Sequence, residues 1–366
     1  MKELRRIGII GLGLIGGSMA KAFKRKSKSI EITAWDQDGD VIRKALAEGV
    51  IDHGADKLGS GFSEAEAVFL CIPVFAMRNI LKELRDALPD TCILTDVGST
   101  KGEVLALIQE LGLAHRFIGG HPLAGSEKSG YSAAKANLFE NAYYCLTPTE
   151  KSSTEDLEAI KHLVEVLGAI PLVLNGEEHD KATAAISHVP HVVAALLVNL
   201  VGTLDGPNNH MKTLAAGGFK DITRIASSSP ELWAGICLSN KDIILDTLKT
   251  LGGALSEFEE NLRQGQWDKI QHFFQSARLL RNTFSDRKSL IQKTFDILVD
   301  VEDRPGIIAV IATALARESI NIKNIGILNN RETEEGALEI QFEDEESREK
   351  GIAALIHLGY KAKKKE

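Results

Sequence analysis

The sequence predicts an α/β protein in three parts: a region alternating strands and helices, an all-α region, and a small βαββαβ region. Three observations predict this. Residues 6–174 alternate short apolar runs with amphipathic ones, the pattern of βαβ units on a parallel sheet. Residues 177–284 carry apolar positions at helical spacing with no strand-like run, as in IILDTLKTLGGALSEFEENL. From Thr294, strand-like and helix-like runs follow in the order βαββαβ, the ferredoxin-like arrangement. The expected division is 1–174, 175–285, a polar linker at 286–293, and 294–366.

The expected strands of the first region are Ile7–Ile10, Ile30–Trp35, Ala67–Ile72, Cys92–Asp96, Phe117–Gly119 and Tyr143–Leu146. Helices are expected between them at Val41–Glu48, Ala76–Ala87 and Gly102–Leu111. In the second region a long buried helix is expected to run across Pro190. In the third, FDILVDVED, INIKNIGILNN, ALEIQFED and YKAKKK read as strands, and PGIIAVIATALARES and EESREKGIAALIHLG as helices.

At 366 residues and ~100–200 residues per domain, two or three domains are expected. The 43 basic and 51 acidic side chains leave a net charge of −8, and the only basic cluster is the Lys361–Lys365 tail. A nucleic-acid binder concentrates positive charge on one face, so that class is disfavoured. The four cysteines are far apart with no CxxC pair, which argues against a disulfide framework and a thiolate zinc site. The N-terminus turns glycine-rich after a few apolar residues, unlike a signal peptide. The most apolar stretch, Ala184–Gly202, is interrupted by Ser187, His188, Pro190, His191 and Asn199, against the ~20 apolar residues of a membrane span. A soluble cytoplasmic protein without membrane or nucleic-acid partners is expected.

Gly11-Leu12-Gly13-Leu14-Ile15-Gly16 follows an apolar strand and opens a helix, a Rossmann-like dinucleotide-binding start. Gly11 permits the tight turn, Gly13 lets backbone approach a pyrophosphate, and Gly16 allows helix to pack closely on strand. With Leu14 and Ile15 they form the expected cofactor-binding set, with the phosphates at the helix N-terminus. The next strand ends at Asp36, which accepts hydrogen bonds from a ribose 2′-hydroxyl and repels a 2′-phosphate. No Arg or Lys falls between Trp35 and Ile42, so NAD is expected rather than NADP. The bland alternative is a tight turn with no ligand.

Two sheet-to-loop junctions carry polar chemistry, TDVGSTK at 95–101 and GGHPLAGSE at 119–127. In open α/β sheets ligands bind beyond the carboxyl ends of strands, where Ser99 and His121 fall. A histidine there takes a proton from a substrate alcohol while hydride departs; read alone, His121 is equally a satisfied structural histidine. Ser187-His188-Val189-Pro190-His191 sets polar groups into an otherwise apolar helix. The two histidines lack the carboxylate of HExxH and a third ligand, so no metal is expected. A substrate-facing patch competes there with buried histidines bonded to backbone. Arg224, in FKDITRIA, suits bidentate carboxylate binding or an ion pair with Asp221.

Together, GLGLIGGS, TDVGSTKG, GGHPLAGSEKSG, ISHVPH and DITRIASSSPELW resemble the prephenate/arogenate dehydrogenase family of tyrosine biosynthesis, over residues 1 to about 285. The tail from Phe295, with VEDRPG at 301–306 and Ile320-Asn321-Ile322, is similar to ACT domains, small modules that commonly bind amino acids at their interfaces. The resemblance implies NAD-dependent oxidative decarboxylation of prephenate to 4-hydroxyphenylpyruvate, without metal or covalent nucleophile. It assigns His121 to polarising the substrate hydroxyl, Ser99 to holding that hydroxyl near the nicotinamide, and Arg224 to the ring carboxylate. His191 and Ser187 would face the pyruvyl side chain, with Trp233 nearby. Glu127, with His179 and Lys128, would gate or order the pocket. The tail implies a regulatory site at Asp303, Arg304, Pro305, Gly306 and Asn321, with tyrosine as inhibitor.

Prephenate is a dianion and the chain is acidic, so Arg224 and His191 are expected as local cations. Arg224→Ala would then raise KM by at least the ~2–5 kcal/mol of a buried charge pair. Three other readings stand beside this one: an arogenate dehydrogenase, a non-catalytic NAD and amino-acid sensor, and a β-hydroxyacid dehydrogenase. A sensor would lack His121 or Arg224, and a β-hydroxyacid dehydrogenase would rely on a lysine in the helical region. The tail could also be a dimerisation module that binds nothing, with Pro305 simply starting a helix. Long apolar faces such as Val192–Val201 predict a homodimer through the helical region.

Overall fold

The computed structural model describes residues 2–125, 128–285, 295–302, 304–328 and 336–365. They fall into two compact units, Met1–Leu255 and Ser256–Glu366. The expected linker, Glu127 and Asp303 lie outside the described residues.

The first unit opens with β1 (Arg6–Ile10), α1 (Leu14–Lys26), β2 (Glu31–Trp35), α2 (Gly39–Ala47), β3 (His53–Gly54), β4 (Ala67–Leu70) and α3 (Val74–Ala87). There follow β5 (Ile93–Asp96), α4 (Gly102–Glu110), β6 (Phe117–Pro122), β7 (Tyr143–Pro148), α5 (Thr154–Val166) and β8 (Ile170–Val173). The sheet order is β3-β2-β1-β4-β5-β6-β7-β8. Alternate strand residues feed two cores. Ile7, Ile9, Phe69 and Ile93 pack with Met19, Phe23, Ile160 and Leu163 on one face. Ile10, Val68, Leu70 and Leu94 pack with Met77, Leu81, Val104 and Ile108 on the other.

The expected all-parallel sheet needs correction. β7 runs antiparallel to β6, and β8 follows β7 in parallel through α5. Between β6 and β7 the described chain forms only a short 3₁₀ turn, Tyr131–Ala133. A parallel return needs a crossover long enough to recross the sheet, usually a helix, and here the chain re-enters from the same end. Strands β3 and β8 were not anticipated. The first spans two residues, and the second, IPLV, is a partly exposed edge strand that tolerates Pro171.

The helical region contains α6 (Gly176–Thr183), a π-helical turn (Ala184–His188), α7 (Val189–Leu204), α8 (His210–Leu214), α9 (Gly217–Thr223), α10 (Pro230–Ser239), α11 (Lys241–Arg263) and α12 (Trp267–Ser285). A continuous helix does cross Pro190, but it is not buried as expected. Only Val189 and Ala194 of α7 are buried, while Leu196, Leu200 and Leu204 are 59%, 52% and 58% exposed. α7 packs on α9 and the turn Arg224–Ser227, which leaves its far side uncovered. By length and composition the helix Gly176–Leu204 could cross a membrane; its first half instead carries the polar side chains of the site.

In the second unit, β9 (Phe295–Val301), α13 (Ile307–Arg317), β10 (Asn324–Leu328), β11 (Gly336–Phe342), α14 (Glu345–His357) and β12 (Lys361–Lys364) form the βαββαβ module. Its antiparallel sheet has the order β10-β11-β9-β12. Ile297, Val299, Ile311, Leu315, Ile340 and Leu355 form its core. Pro305 does not start α13. Gly306, left-handed at φ +89°, is the N-cap, and Pro305 stands one residue outside. Arg304 lies 3.7 Å from Glu302, and exposed Asn321 sits in the loop before β10.

Candidate active site

The parallel strands β1, β4, β5 and β6 end on one edge of the sheet, and the chemistry collects there. After β1, Gly11 turns at φ +92° and Gly16 packs so closely that a Cβ would stand 1.9 Å from the Gly11 carbonyl. A Cβ at Gly13 would meet nothing within 4 Å, so the backbone there is open to a large ligand. No side chain caps α1, and its first-turn N–H groups are available to an anion. Asp36 closes the turn, accepting the Leu12 N–H at 2.7 Å and the Asp38 N–H at 2.9 Å. Each oxygen keeps a lone pair for a ribose hydroxyl. Leu14 and Ile15 flank the opening, half-buried. These residues fit a dinucleotide.

At the end of β6, His121 Nδ1 lies 2.8 Å from His179 Nε2, and His179 Nδ1 lies 2.8 Å from Asp180 Oδ1. Asp180 accepts the main-chain N–H groups of Lys101 (2.8 Å) and Gly102 (2.7 Å) at the start of α4. Burial alone would raise the Asp180 pKa, but these donors and His179 outweigh it and hold the carboxyl below its ordinary value. Beneath His121, fully buried Lys101 pairs with fully buried Asp96 and donates to the Gly120 carbonyl at 2.8 Å. Burial, then His179, Lys101 and His188, push the His121 pKa well below that of an ordinary histidine. His121 is therefore a neutral base at pH 7.

The π-helical turn brings the other histidines to this place. At ~100° per residue, twelve residues would set His191 about 120° around the helix from His179; a π-turn absorbs one residue and reduces this to about 20°. Pro190, which has no N–H to give, sits just beyond the turn. The Val189 N–H bonds the Ala184 carbonyl, and His191 Nδ1 donates to the Ser187 carbonyl at 2.8 Å. Trp233 on α10 stacks on His191 with centroids 3.6 Å apart, and its edge meets His188. Buried Asn240 donates to the Asp180 carbonyl (3.0 Å) and to His188 Nδ1 (3.2 Å). His188 Nε2 therefore carries its hydrogen; it is buried beside the Ser99 main chain and completes no well-formed hydrogen bond. Burial lowers the His188 pKa to about 4.

The family model described as "Prephenate dehydrogenase, nucleotide-binding domain" matches residues 19–172, and "Prephenate dehydrogenase, dimerization domain" matches 175–276. A prephenate dehydrogenase of Bacillus subtilis is 41% identical over 345 residues, 93% of each chain. The chain belongs to the prephenate dehydrogenase family. The structure of prephenate dehydrogenase from Aquifex aeolicus, in complex with hydroxyphenyl propionate and NAD+, superposes with a TM-score of 0.73 at 32% identity, covering 77% of this chain and 99% of that one. Synechocystis arogenate dehydrogenase superposes at 0.68, also at 32% identity, covering 76% and 99%. Residues 297–360 match the AHAS small subunit-like ACT domain.

As a member of this family, the chain brings His121, Ser99, His179, Ser187, His191 and Trp233 together around one edge of the sheet. His179, expected to gate or order the pocket, is fully buried with both ring nitrogens held by protein. His191, expected as a cation, has a lowered pKa, from burial first and from the charge of Arg224, which outweigh the Ser187 carbonyl. Arg224 is close enough to act on His191 yet is itself exposed in the single chain. Lys128 is exposed in the loop after β6. Asp180, Lys101, Asp96, His188 and Asn240 were not singled out as site residues. The available signals were the Asp next to His179 and the charged pair closing TDVGSTK.

Proposed function

We propose that the protein oxidatively decarboxylates prephenate to 4-hydroxyphenylpyruvate with NAD+ as acceptor. The observation that carries this is His121, hydrogen-bonded through His179 to Asp180 at the sheet edge that also bears the glycine turn. NAD+, when bound on Gly11, Gly13, Gly16 and Asp36, supplies the hydride acceptor. His121 accepts the proton of the substrate hydroxyl as the hydride leaves the same carbon. Loss of the ring carboxylate as CO2 sends its electron pair into the ring, and His121 returns the proton to the phenolic oxygen. Proton uptake and release balance. Ser99 holds the hydroxyl, and Arg224 pairs with the ring carboxylate.

The domain division 1–174, 175–285 and 294–366, a cytoplasmic location, a homodimer through the helical region, and tyrosine inhibition through Arg304–Gly306 and Asn321 belong to the same proposal. One observation favours arogenate instead. His191 commits Nδ1 to Ser187, so its remaining Nε2 is an acceptor suited to an ammonium. Initial rates of NADH appearance with prephenate and with arogenate, each with and without tyrosine, test the reading. Prephenate turnover suppressed by tyrosine, with suppression lost on deleting 294–366, is the expected result. Suppression surviving that deletion would place tyrosine at the active site, and no turnover of either substrate would return the sensor.

A further inference from the structure

We propose that Asp180 is a positioning residue that acts through His179 to select the reactive tautomer of His121. This rests on the reading of His121 as the base.

The hydrogen-bond directions follow from one end. The Asp180 carboxylate is acceptor-only and already takes the N–H groups of Lys101 and Gly102, so the His179 atom facing it, Nδ1, must be the donor. In neutral His179 the proton on Nδ1 leaves Nε2 as an acceptor. The atom facing Nε2 is His121 Nδ1, which must therefore donate. His121 is left with its lone pair on Nε2, the form that takes a proton. The opposite tautomer would present an N–H to the substrate hydroxyl and could not act as base. A carboxylate two side chains away thus decides which nitrogen reacts.

The same chain steadies the product of the step. When His121 takes the proton, its positive charge is hydrogen-bonded through His179 to an anion that the start of α4 keeps ionised. Lys101 and His188 lower the His121 pKa, as does a charge on His179 itself, so the relay serves the imidazolium only with His179 uncharged between it and Asp180. Because the proton goes back to the phenolic oxygen, a relay that holds charge without draining it suits the reaction.

The test uses the full chain with Asp180→Asn, His179→Phe and the double variant. An asparagine has one acceptor oxygen for three donors, so its NH2 group must face either the Gly102 N–H or His179, and where it faces His179 the order of donors reverses. His179→Phe cuts the relay but leaves the Asp180 bonds to α4, so it carries the test if Asp180→Asn fails to fold. Each single variant is expected to lose ~10²–10⁴-fold in kcat with prephenate KM changed less than about threefold. The double variant should be no worse than the poorer single, because both break one chain. The acid limb of kcat/KM should move to lower pH in Asp180→Asn, since the imidazolium loses its anion. Histidine ¹⁵N spectra of the resting protein should show His121 as the Nδ1–H tautomer, lost in Asp180→Asn. A His179→Phe enzyme with wild-type kcat, or His121 found as Nε2–H in the wild type, would overturn the proposal. Wild-type protein without prephenate turnover but with the Nδ1–H tautomer would remove the reaction and leave the relay standing.

Discussion

Arg224 shows how burial sets the size of an effect. Arg224 is exposed in the single chain, so the proposed contact with the ring carboxylate is expected nearer water than the buried pair behind the ~2–5 kcal/mol inferred from sequence. A charge-assisted hydrogen bond is worth about 1.5–3 kcal/mol. Arg224→Ala is therefore expected to raise prephenate KM by roughly 10–100-fold with kcat within about threefold. Steady-state kinetics at saturating NAD+ check this, and an unchanged KM removes Arg224 from the substrate. His121 and Ser99 were legible in the sequence because they stand where apolar strands break into small polar residues. Asp180 was not. Asn175 and Glu178 form a capping box at the same helix start, so EEHD reads as the acidic first turn of a solvated helix. Only the fold turns Asp180 inward to α4.

Among elements, the glycine turn and the π-turn give opposite kinds of prediction. Gly16→Ala would drive a methyl into the Gly11 carbonyl, and backbone cannot yield as a flexible side chain can. Its expected outcome is loss of the folded first unit, read as a lowered unfolding midpoint and no NAD+ binding. At Gly13, with φ −72° and open space, Ala should fold within about 0.5 kcal/mol of wild type and weaken NAD+ binding alone. Equal stability losses in the two variants would contradict the cradle described for the turn. Deleting exposed Ala185 would remove the one residue that the π-turn absorbs and leave a regular α-helix with His191 still about 20° from His179. Helix content by circular dichroism should persist with turnover within about tenfold; a fall of ~100-fold or more would show that the turn does more than set the helix phase. The strand–helix alternation made most of the sheet legible. β7's direction was not, because direction depends on how the chain returns rather than on the strand's own residues. The π-turn left Pro190 as its one visible mark.

At the scale of the whole molecule, the uncovered face of α7 remains to be accounted for. Leu196, Leu200 and Leu204 recur at i, i+4 and i+8, all more than half exposed, and Leu245, Leu251 and Leu255 extend apolar exposure along α11. Monomeric soluble proteins rarely leave apolar surface of this continuity in water, and a second copy buries it without a new partner. A membrane could cover the same stripe, because the helix is long and apolar enough. The two are distinguished by sedimentation of the purified chain at micromolar concentration with and without lipid vesicles. The expected species is twice the chain mass, unaffected by lipid, with a thermal midpoint that rises with protein concentration. Leu200→Glu would place two like charges in that interface. It should yield a monomer, because a buried unpaired carboxylate costs more than the leucine contact contributes. A monomeric wild type with a concentration-independent midpoint would overturn the self-association, and pelleting with vesicles would transfer the stripe to the membrane.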